Sequence, residues 1–368
     1  MPTLAEELGA RTREADLYER LEGNRVRCYA CGHNCPIPAG FAGVCKVRFN
    51  REGKLYAPYG YVQGAQVDPI EKKPFFHVLP GAQTLSFGML GCDLHCGYCQ
   101  NWVTSQALRD FRSSLEFHSM EPRQIVHWAL EQRTAAVIST YNEPLITSEW
   151  AVAIFREARK AGLRTGFVSN GNATPGVLDY LRPWVDLYKV DLKSFDDRRY
   201  HELGARLAPI LDSIERIHSL GFWLEVVTLV VPGFNDSDAE LSALAGFLAG
   251  VSRDIPWHVT AFHPDYKMGG SQWTGAATLA RAAEIGKAAG LRFVYAGNLP
   301  GKLHDAENTR CPGCGSLLVE REGFVVRRNR IGADGLCPDC SRPVPGIWHA
   351  ETPPLPRDSE LWLYRRCG

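Results

Sequence analysis

Twelve cysteines occur among 368 residues, and eleven of them stand in three tight groups. Cys28, Cys31, Cys35 and Cys45 form the first, Cys92, Cys96 and Cys99 the second, and Cys311, Cys314, Cys337 and Cys340 the third, while Cys367 stands alone. A disulfide framework belongs to short secreted domains. This chain is long, and its opening run Met-Pro-Thr-Leu-Ala-Glu-Glu-Leu has acids where a signal peptide carries bases. In a reducing compartment such spacings point to metal, so we expect a cytoplasmic protein with three metal sites. The longest apolar stretch, Phe222 to Val231, is interrupted by Glu225 and Thr228, so no membrane span is expected. Lys+Arg and Asp+Glu both number 41, which leaves no overall field to gather the chain onto nucleic acid or an anionic membrane.

Between the second and third groups, β-branched apolar runs alternate with helical patterns. Strands are expected at Thr84–Met89, Ala135–Thr140, Thr165–Ser169, Asp186–Leu192, Phe222–Val231, Trp257–Phe262 and Arg292–Tyr295. Ala151, Ile154, Phe155 and Ala158 share one helical face, and a further helix is expected from Ser119 with Pro122 in its first turn. Repeated strand–helix units give parallel strands. The expected fold is α/β: a partial (β/α)6-type TIM barrel over residues 75–300, with an open doubly wound sheet as the competing arrangement. A cysteine-rich module and lead-in (1–74) precedes it, and a zinc-ribbon-like module with a proline-rich tail (301–368) follows.

Polar residues gather where the expected strands end: the Cys92–Cys99 loop, Tyr141-Asn142-Glu143-Pro144, Ser169-Asn170-Gly171, Asp191-Leu192-Lys193 and His263-Pro264. Carboxyl ends of parallel strands converge on the site in α/β folds, so all five should face one pocket. Cys92-x3-Cys96-x2-Cys99 has too few ligands for a closed zinc site unless His95 or a distant residue completes it. Three thiolates so close together can instead hold three irons of a [4Fe–4S] cluster and leave the fourth iron open.

On this triplet the sequence resembles the radical S-adenosylmethionine (SAM) superfamily. The resemblance implies that SAM chelates the open iron and is reductively cleaved to a 5′-deoxyadenosyl radical, which abstracts hydrogen from a substrate that the sequence leaves unknown. Matching the family's motifs residue by residue implies that Tyr98 lies against adenine and that Asn142, Glu143, Ser169, Asn170, Asp191 and Lys193 hold SAM. It also implies that Thr228 and Val230, before Pro232-Gly233, face it. The run Asp68-Pro-Ile-Glu-Lys-Lys-Pro74, the segment Gly91 to Trp102, Tyr141 to Pro144 and Gly297-Asn298-Leu-Pro-Gly301 together resemble the AmmeMemoRadiSam radical SAM proteins, relatives of the pyruvate formate-lyase activating enzyme. That likeness implies Memo-like and companion proteins as partners, and an electron donor such as a flavodoxin or ferredoxin. Glycyl-radical activation is an alternative to which the cysteine pattern gives no preference, since residues 101–135 carry none of the extra cysteines found there in activases with added clusters.

The flanking groups stay open at this level. Cys28, Cys31, Cys35 and Cys45 suit zinc or an auxiliary cluster. Cys311-x2-Cys314 and Cys337-x2-Cys340, with short strands expected at Ser316–Val319 and Gly323–Val326, have zinc-ribbon spacing. Arg327, Arg328 and Arg330 read as a solvated basic edge. His258 reads as a packing residue, and His263 and Tyr266 as candidates for the substrate side of the pocket. A metal-binding adaptor and an electron-transfer protein are the rivals from other classes; neither accounts for Glu143, Asp191 and Lys193 at strand ends.

Overall fold

Apolar, β-branched runs that are buried on both sides form the centre of the fold, as a parallel sheet covered by helices requires. The computed structural model describes residues 4–110, 117–299, 301–303 and 305–349. Its largest sheet has eight strands: β1 (Gly64–Pro69), β2 (Gln83–Gly88), β3 (Ala136–Ser139), β4 (Arg164–Ser169), β5 (Leu187–Asp191), β6 (Trp223–Val230), β7 (Trp257–Ala261) and β8 (Val294–Gly297). They are hydrogen-bonded in chain order; β1 pairs antiparallel with β2 and the other pairs are parallel. β1 lies upstream of residue 75, so the sheet begins earlier than the sequence suggested. β1 and β8 are its two edges, which makes it a barrel left open along one seam.

Helices α1 (Pro122–Glu131), α2 (Ser148–Lys160), α3 (Pro175–Leu181), α4 (Asp197–Leu203), α5 (Leu207–Ser219), α6 (Asp238–Val251) and α7 (Ala276–Ala288) lie between the strands in sequence. α1 begins at Pro122, not Ser119: the Glu121 backbone N–H donates to Gln124 Oε1 at 2.7 Å, and His118–Ser119 is a short strand pairing with Tyr61–Val62. α2 buries Trp150, Ala151, Ile154, Phe155 and Ala158 on the sheet, as its spacing demands.

Strand alternation decides which side chains enter the barrel. Pairing puts Lys189 beside Glu225 and Asp191 beside Val227, and then Val227 beside His258 and Leu229 beside Thr260. These residues face inward. Thr228 and Val230 therefore face the helices, contrary to the expectation that they face SAM. Thr228 Oγ1 accepts from Trp257 Nε1 at 3.0 Å, and the Trp257 ring lies against Gly286 of α7.

The floor and seam of this barrel are closed by the segment after β1 and by the C-terminal ribbon. At the floor, Ile70, Phe75, Val78 and Leu79 pack with Ala136, Ile138 and Leu187. Glu225 holds that segment by accepting from the backbone N–H of Phe76 (3.0 Å) and His77 (2.9 Å). The C-terminal ribbon, β9 (Thr309–Arg310), β10 (Leu317–Glu322) and β11 (Val325–Asn329), packs on Phe76, Phe293 and Tyr295. From β10, Arg321 reaches both sides of the open seam: it donates to Phe76 O (2.6 Å) and Thr309 Oγ1 (2.8 Å) and lies 3.6 Å from Glu71 Oε1. Ile347 exchanges backbone bonds with His77 and Leu79, so the described part of the tail does run over the barrel. The rest of the proline-rich tail, and Cys367, lie outside the described residues.

Candidate active site

The loop after β2 carries Cys92, Cys96 and Cys99 to the carboxyl end of the sheet. Gly91 makes this possible: its φ is 94°, and a Cβ there would stand 2.8 Å from Val47 Cγ1. The loop wraps its sulfurs in polar donors. Leu94 N–H donates to Cys92 Sγ at 3.3 Å, and Cys99 Sγ lies 3.2 Å from Ser105 Oγ. Burial pushes the Cys96 thiol up to about 12, so as a free thiol it stays protonated. A thiolate in this place needs a partner cation, and bound iron supplies one. Lys193 supplies a second positive charge near Cys96. Three clustered thiols, Cys96 buried and Cys92 and Cys99 half-buried, with an N–H donor, a hydroxyl and an adjacent ammonium suit an iron–sulfur cluster.

Around the loop stand the polar ends of β3, β4 and β5. Glu143 is the centre of one network: its Oε1 accepts from Leu145 N (3.0 Å) and the Ser169 hydroxyl (2.7 Å), and its Oε2 accepts from Asn170 N (2.7 Å). Burial first, and then the neighbouring Asp93 carboxylate, raise the Glu143 pKa. An ammonium ligand would offset both effects by favouring the ionised carboxylate. Asn142 is engaged elsewhere: its Oδ1 accepts from Met89 N at 2.9 Å and its Nδ2 donates to Glu143 O, so its amide joins the ends of β2 and β3.

On β5, Asp191 pairs with Lys189 and lies 3.7 Å from Lys193 Nζ. Burial opposes the charge on Lys193, but the ionised Asp191 carboxylate beside it outweighs burial and holds its pKa above the lysine value, and a metal-bound thiolate at Cys96 would add to this. Lys193 is thus a permanent cation beside the cysteine loop. Tyr98 is buried, with its ring edge-on to Phe234 at 5.5 Å. His263 packs on Trp273 (5.7 Å) just beyond β7, and Tyr266 stacks on Trp102 (5.1 Å).

Two groups escaped the sequence reading. Asp93, directly after Cys92, is fully buried and accepts from Asn170 Nδ2 (2.7 Å) and Asn172 Nδ2 (2.8 Å). No local pattern marks that role, since its partners come from β4's distant end. Lys189 had a signal, for period-two alternation puts it on the face of Asp191. Below the site, the Asp68-to-Pro74 run folds inward, with Asp68 bonded to Lys72 (2.7 Å) and Lys73 (2.9 Å), and Lys73 to the Tyr141 hydroxyl (3.1 Å).

Beside the loop lies a cavity of about 270 Å³, lined among others by Gln100, Val227, Leu229, His258, Thr260 and Asn298. His258 is held there by Glu225 at 2.7 Å. A larger groove of about 1410 Å³ runs over the outside of the barrel, past Trp128, Arg156 and Trp184. Neither cavity is lined by a cysteine, but Gln100, next to Cys99, borders the smaller one together with Leu229 and Asn298 at strand ends, which favours it as the place of chemistry.

The third cysteine group has a different geometry. The sulfurs of Cys311, Cys314, Cys337 and Cys340 all lie within 4.8 Å of one another, with Cys311 and Cys340 at 3.6 Å and Cys314 and Cys337 at 3.7 Å. That spacing suits one tetrahedral ion. Two of the nearby arginines are neutralised, Arg327 by Glu322 and Arg330 by Asp339.

The model of the radical SAM superfamily matches residues 88–245. An uncharacterised protein of Methanocaldococcus jannaschii is 38% identical over 317 residues, which covers 86% of this chain and 93% of the relative. The isethionate sulfite-lyase activating enzyme of Oleidesulfovibrio alaskensis is 26% identical over 185 residues, 48% of this chain and 59% of that enzyme. The benzylsuccinate synthase activating enzyme of Thauera aromatica is 42% identical over 65 residues, 17% of this chain and 20% of that enzyme. The chain thus spans about three fifths of the first activating enzyme and one fifth of the second. Among the described residues, no helix is long and apolar enough to cross a membrane.

Proposed function

Since the chain belongs to the radical SAM superfamily, as a relative of activating enzymes, we propose that Cys92, Cys96 and Cys99 hold the [4Fe–4S] cluster and that the strand ends hold SAM. The protein is a radical SAM enzyme whose substrate is unknown. When bound, the cluster and SAM together supply a one-electron cleavage that generates a 5′-deoxyadenosyl radical for hydrogen abstraction.

This chain's own residues bind and orient. Lys193 receives the carboxylate of SAM's methionine part: its ammonium is permanently charged, flexible and next to Cys96. Glu143, with Ser169 and Asn170 fixing its two oxygens, receives the amino group. Asp191 keeps Lys193 in place while also pairing with Lys189. Tyr98 bounds the adenine. Val227 and Leu229, not Thr228, line the substrate cavity with His258 and Thr260 and exclude water from it. The observation that carries this reading is the juxtaposition of the buried cysteine loop with the Asp191–Lys193 pair.

The finer assignments rest on motif and donor chemistry. The subfamily runs, above all the inward-folded Asp68-to-Pro74 segment, support membership of the AmmeMemoRadiSam group, and with it Memo-like and companion proteins as partners. Zn–S bonds of ~2.3 Å in a tetrahedron separate sulfurs by ~3.8 Å, which supports zinc in the C-terminal four. Free cysteines throughout the described residues support a reducing, cytoplasmic setting, where a flavodoxin or ferredoxin would deliver electrons.

The test is anaerobic. Protein reconstituted with iron and sulfide is given SAM and dithionite, and 5′-deoxyadenosine is measured beside a Cys92/Cys96/Cys99→Ala variant. Product from the wild type alone is expected. A wild type with neither cluster nor SAM binding would overturn the reading.

A further inference from the structure

The N-terminal cysteines are placed against the central loop. His33, between Cys31 and Cys35, has its Nε2 3.1 Å from Asp93 O and 4.0 Å from Asp93 Oδ2. Gly32 donates its N–H to Asn172 O at 2.8 Å, and a Cβ at Gly32 would collide with Asn172 Oδ1. On the other side, a Cβ on Gly91 would stand 3.3 Å from Cys45 O. Residues neighbouring three of the four N-terminal cysteines thus touch Gly91, Asp93 or Asn172, the residues that frame Cys92.

The two four-cysteine groups also differ in how their sulfurs sit. The C-terminal four gather to the spacing of a single ion. Among the described residues, no three of Cys28, Cys31, Cys35 and Cys45 come within 4.8 Å of one another, although Cys28, Cys31 and Cys45 are buried and Cys28 lies close enough to Cys31, Cys35 and Cys45 to act on each electrostatically. The sulfurs of the central triplet, which the superfamily assigns to a cluster, are likewise not gathered within 4.8 Å of one another. Four thiols set wider than one ion needs fit a cluster, in which each sulfur binds a different iron or shares one with a single neighbour. On the outer side Cys35 is only half-buried, and Val44, whose backbone lies against its sulfur, is exposed by 40%. One side therefore faces solvent and the other faces Cys92.

From this geometry we infer that Cys28, Cys31, Cys35 and Cys45 hold a second iron–sulfur cluster, which relays single electrons through the His33–Asp93 contact to the central site. The electron balance is simple. A reduced flavodoxin- or ferredoxin-type donor loses one electron and the N-terminal cluster gains it. That electron passes to the central cluster and is consumed when one C–S bond of SAM breaks; no proton moves in the relay. The relay rests on the radical SAM reading, whereas the identity of the N-terminal metal does not.

The experiment uses the full chain. In the Cys92/Cys96/Cys99→Ala variant, reconstituted anaerobically, we expect roughly two to four irons with acid-labile sulfide, an EPR signal on dithionite reduction, and about one zinc. About two zincs and no iron would overturn the inference. Should that variant fail to fold, the wild type decides: about six to eight irons and one zinc support the inference, and about four irons and two zincs refute it. Replacing the four N-terminal cysteines by Ser should lower the ratio of flavodoxin-driven to dithionite-driven SAM cleavage at least tenfold; an unchanged ratio removes the relay. Iron in the triple-Ala variant beside a wild type that binds no SAM would sink the enzymatic reading and leave the N-terminal cluster standing.

Discussion

Arg48, three residues after Cys45, is the bolt between the N-terminal module and the barrel, and Arg48→Met should show it. Its guanidinium and the Glu149 carboxylate on α2 are both essentially inaccessible, with side-chain exposures of 1% and 0%. Both contacts of the pair are 2.7 Å, and Arg48 donates as well to Ile146 O at 3.1 Å. Glu149 also accepts from the backbone N–H of Asp16 (3.1 Å) and Leu17 (3.4 Å). Removing the arginine leaves a buried carboxylate with only those two weaker donors, and breaking one side of such a pair costs about 3–5 kcal/mol. If the chain unfolds as one unit, its unfolding entropy of about 2.1 cal/mol/K per residue converts 4 kcal/mol into a Tm drop of about 5 °C. If the first ~74 residues come off alone, the same loss corresponds to about 25 °C and the module melts separately. Urea unfolding followed by tryptophan fluorescence, with hydrogen exchange over residues 12–58, separates the two cases. The double variant Arg48→Met/Glu149→Leu should recover most of the loss, because an apolar pair of similar volume replaces the ions without leaving a charge. A single variant within about 1 kcal/mol of wild type, or a double variant no better than the single, would refute the argument.

Lys193→Ala should weaken SAM binding to the reconstituted protein by about 1.5–3 kcal/mol, or roughly ten- to hundredfold, read by equilibrium dialysis; unchanged affinity would remove Lys193 from the site. Arg321→Met should open the seam between β1 and β8, seen as faster hydrogen exchange in Phe76 and Thr309, with a loss of about 3 kcal/mol; protection equal to wild type counts against the seam role. His77 is buried between Pro345 O and the Tyr295 hydroxyl, and burial lowers its pKa from 6.5 to about 4. Between those values the unfolded chain binds more protons, so the stability His77 confers is complete above pH 6.5 and is lost as pH falls to about 4, by up to ~3 kcal/mol. A His77→Gln variant should flatten that slope in urea titrations at pH 4 to 7, and a slope left intact would exclude His77 as its source. Cys337→Ser should cost the chain about one zinc by mass spectrometry and loosen β9–β11; full zinc retention would contradict ligation by the C-terminal four.

How far the sequence reaches here depends on how local each cause is. The seven parallel strands were legible because strands buried on both faces read as continuous apolar runs. β1 was not, since Gly64-Ala-Gln-Val-Asp-Pro mixes polar and turn residues, as an antiparallel edge strand lining a polar interior can. Alternation correctly limited β6 to two phases but could not choose between them. The pairing of Asp191 with Val227 makes that choice, and it turns Thr228 outward. The same limit separates Glu143 from Asp93. Glu143 sits in a motif at the end of a legible strand, whereas the place of Asp93 is defined by Asn170, Asn172 and His33, which come from remote parts of the chain. Arg321 is the extreme case: an arginine in a surface hairpin reads as solvated, and only the seam between two edges, neither visible locally, buries it. Local physics thus delivers the strands and the chemistry at their ends. The contacts that tie both cysteine modules to the barrel are products of closure, and through His33 and Asp93 closure also joins the N-terminal cysteines to the central loop.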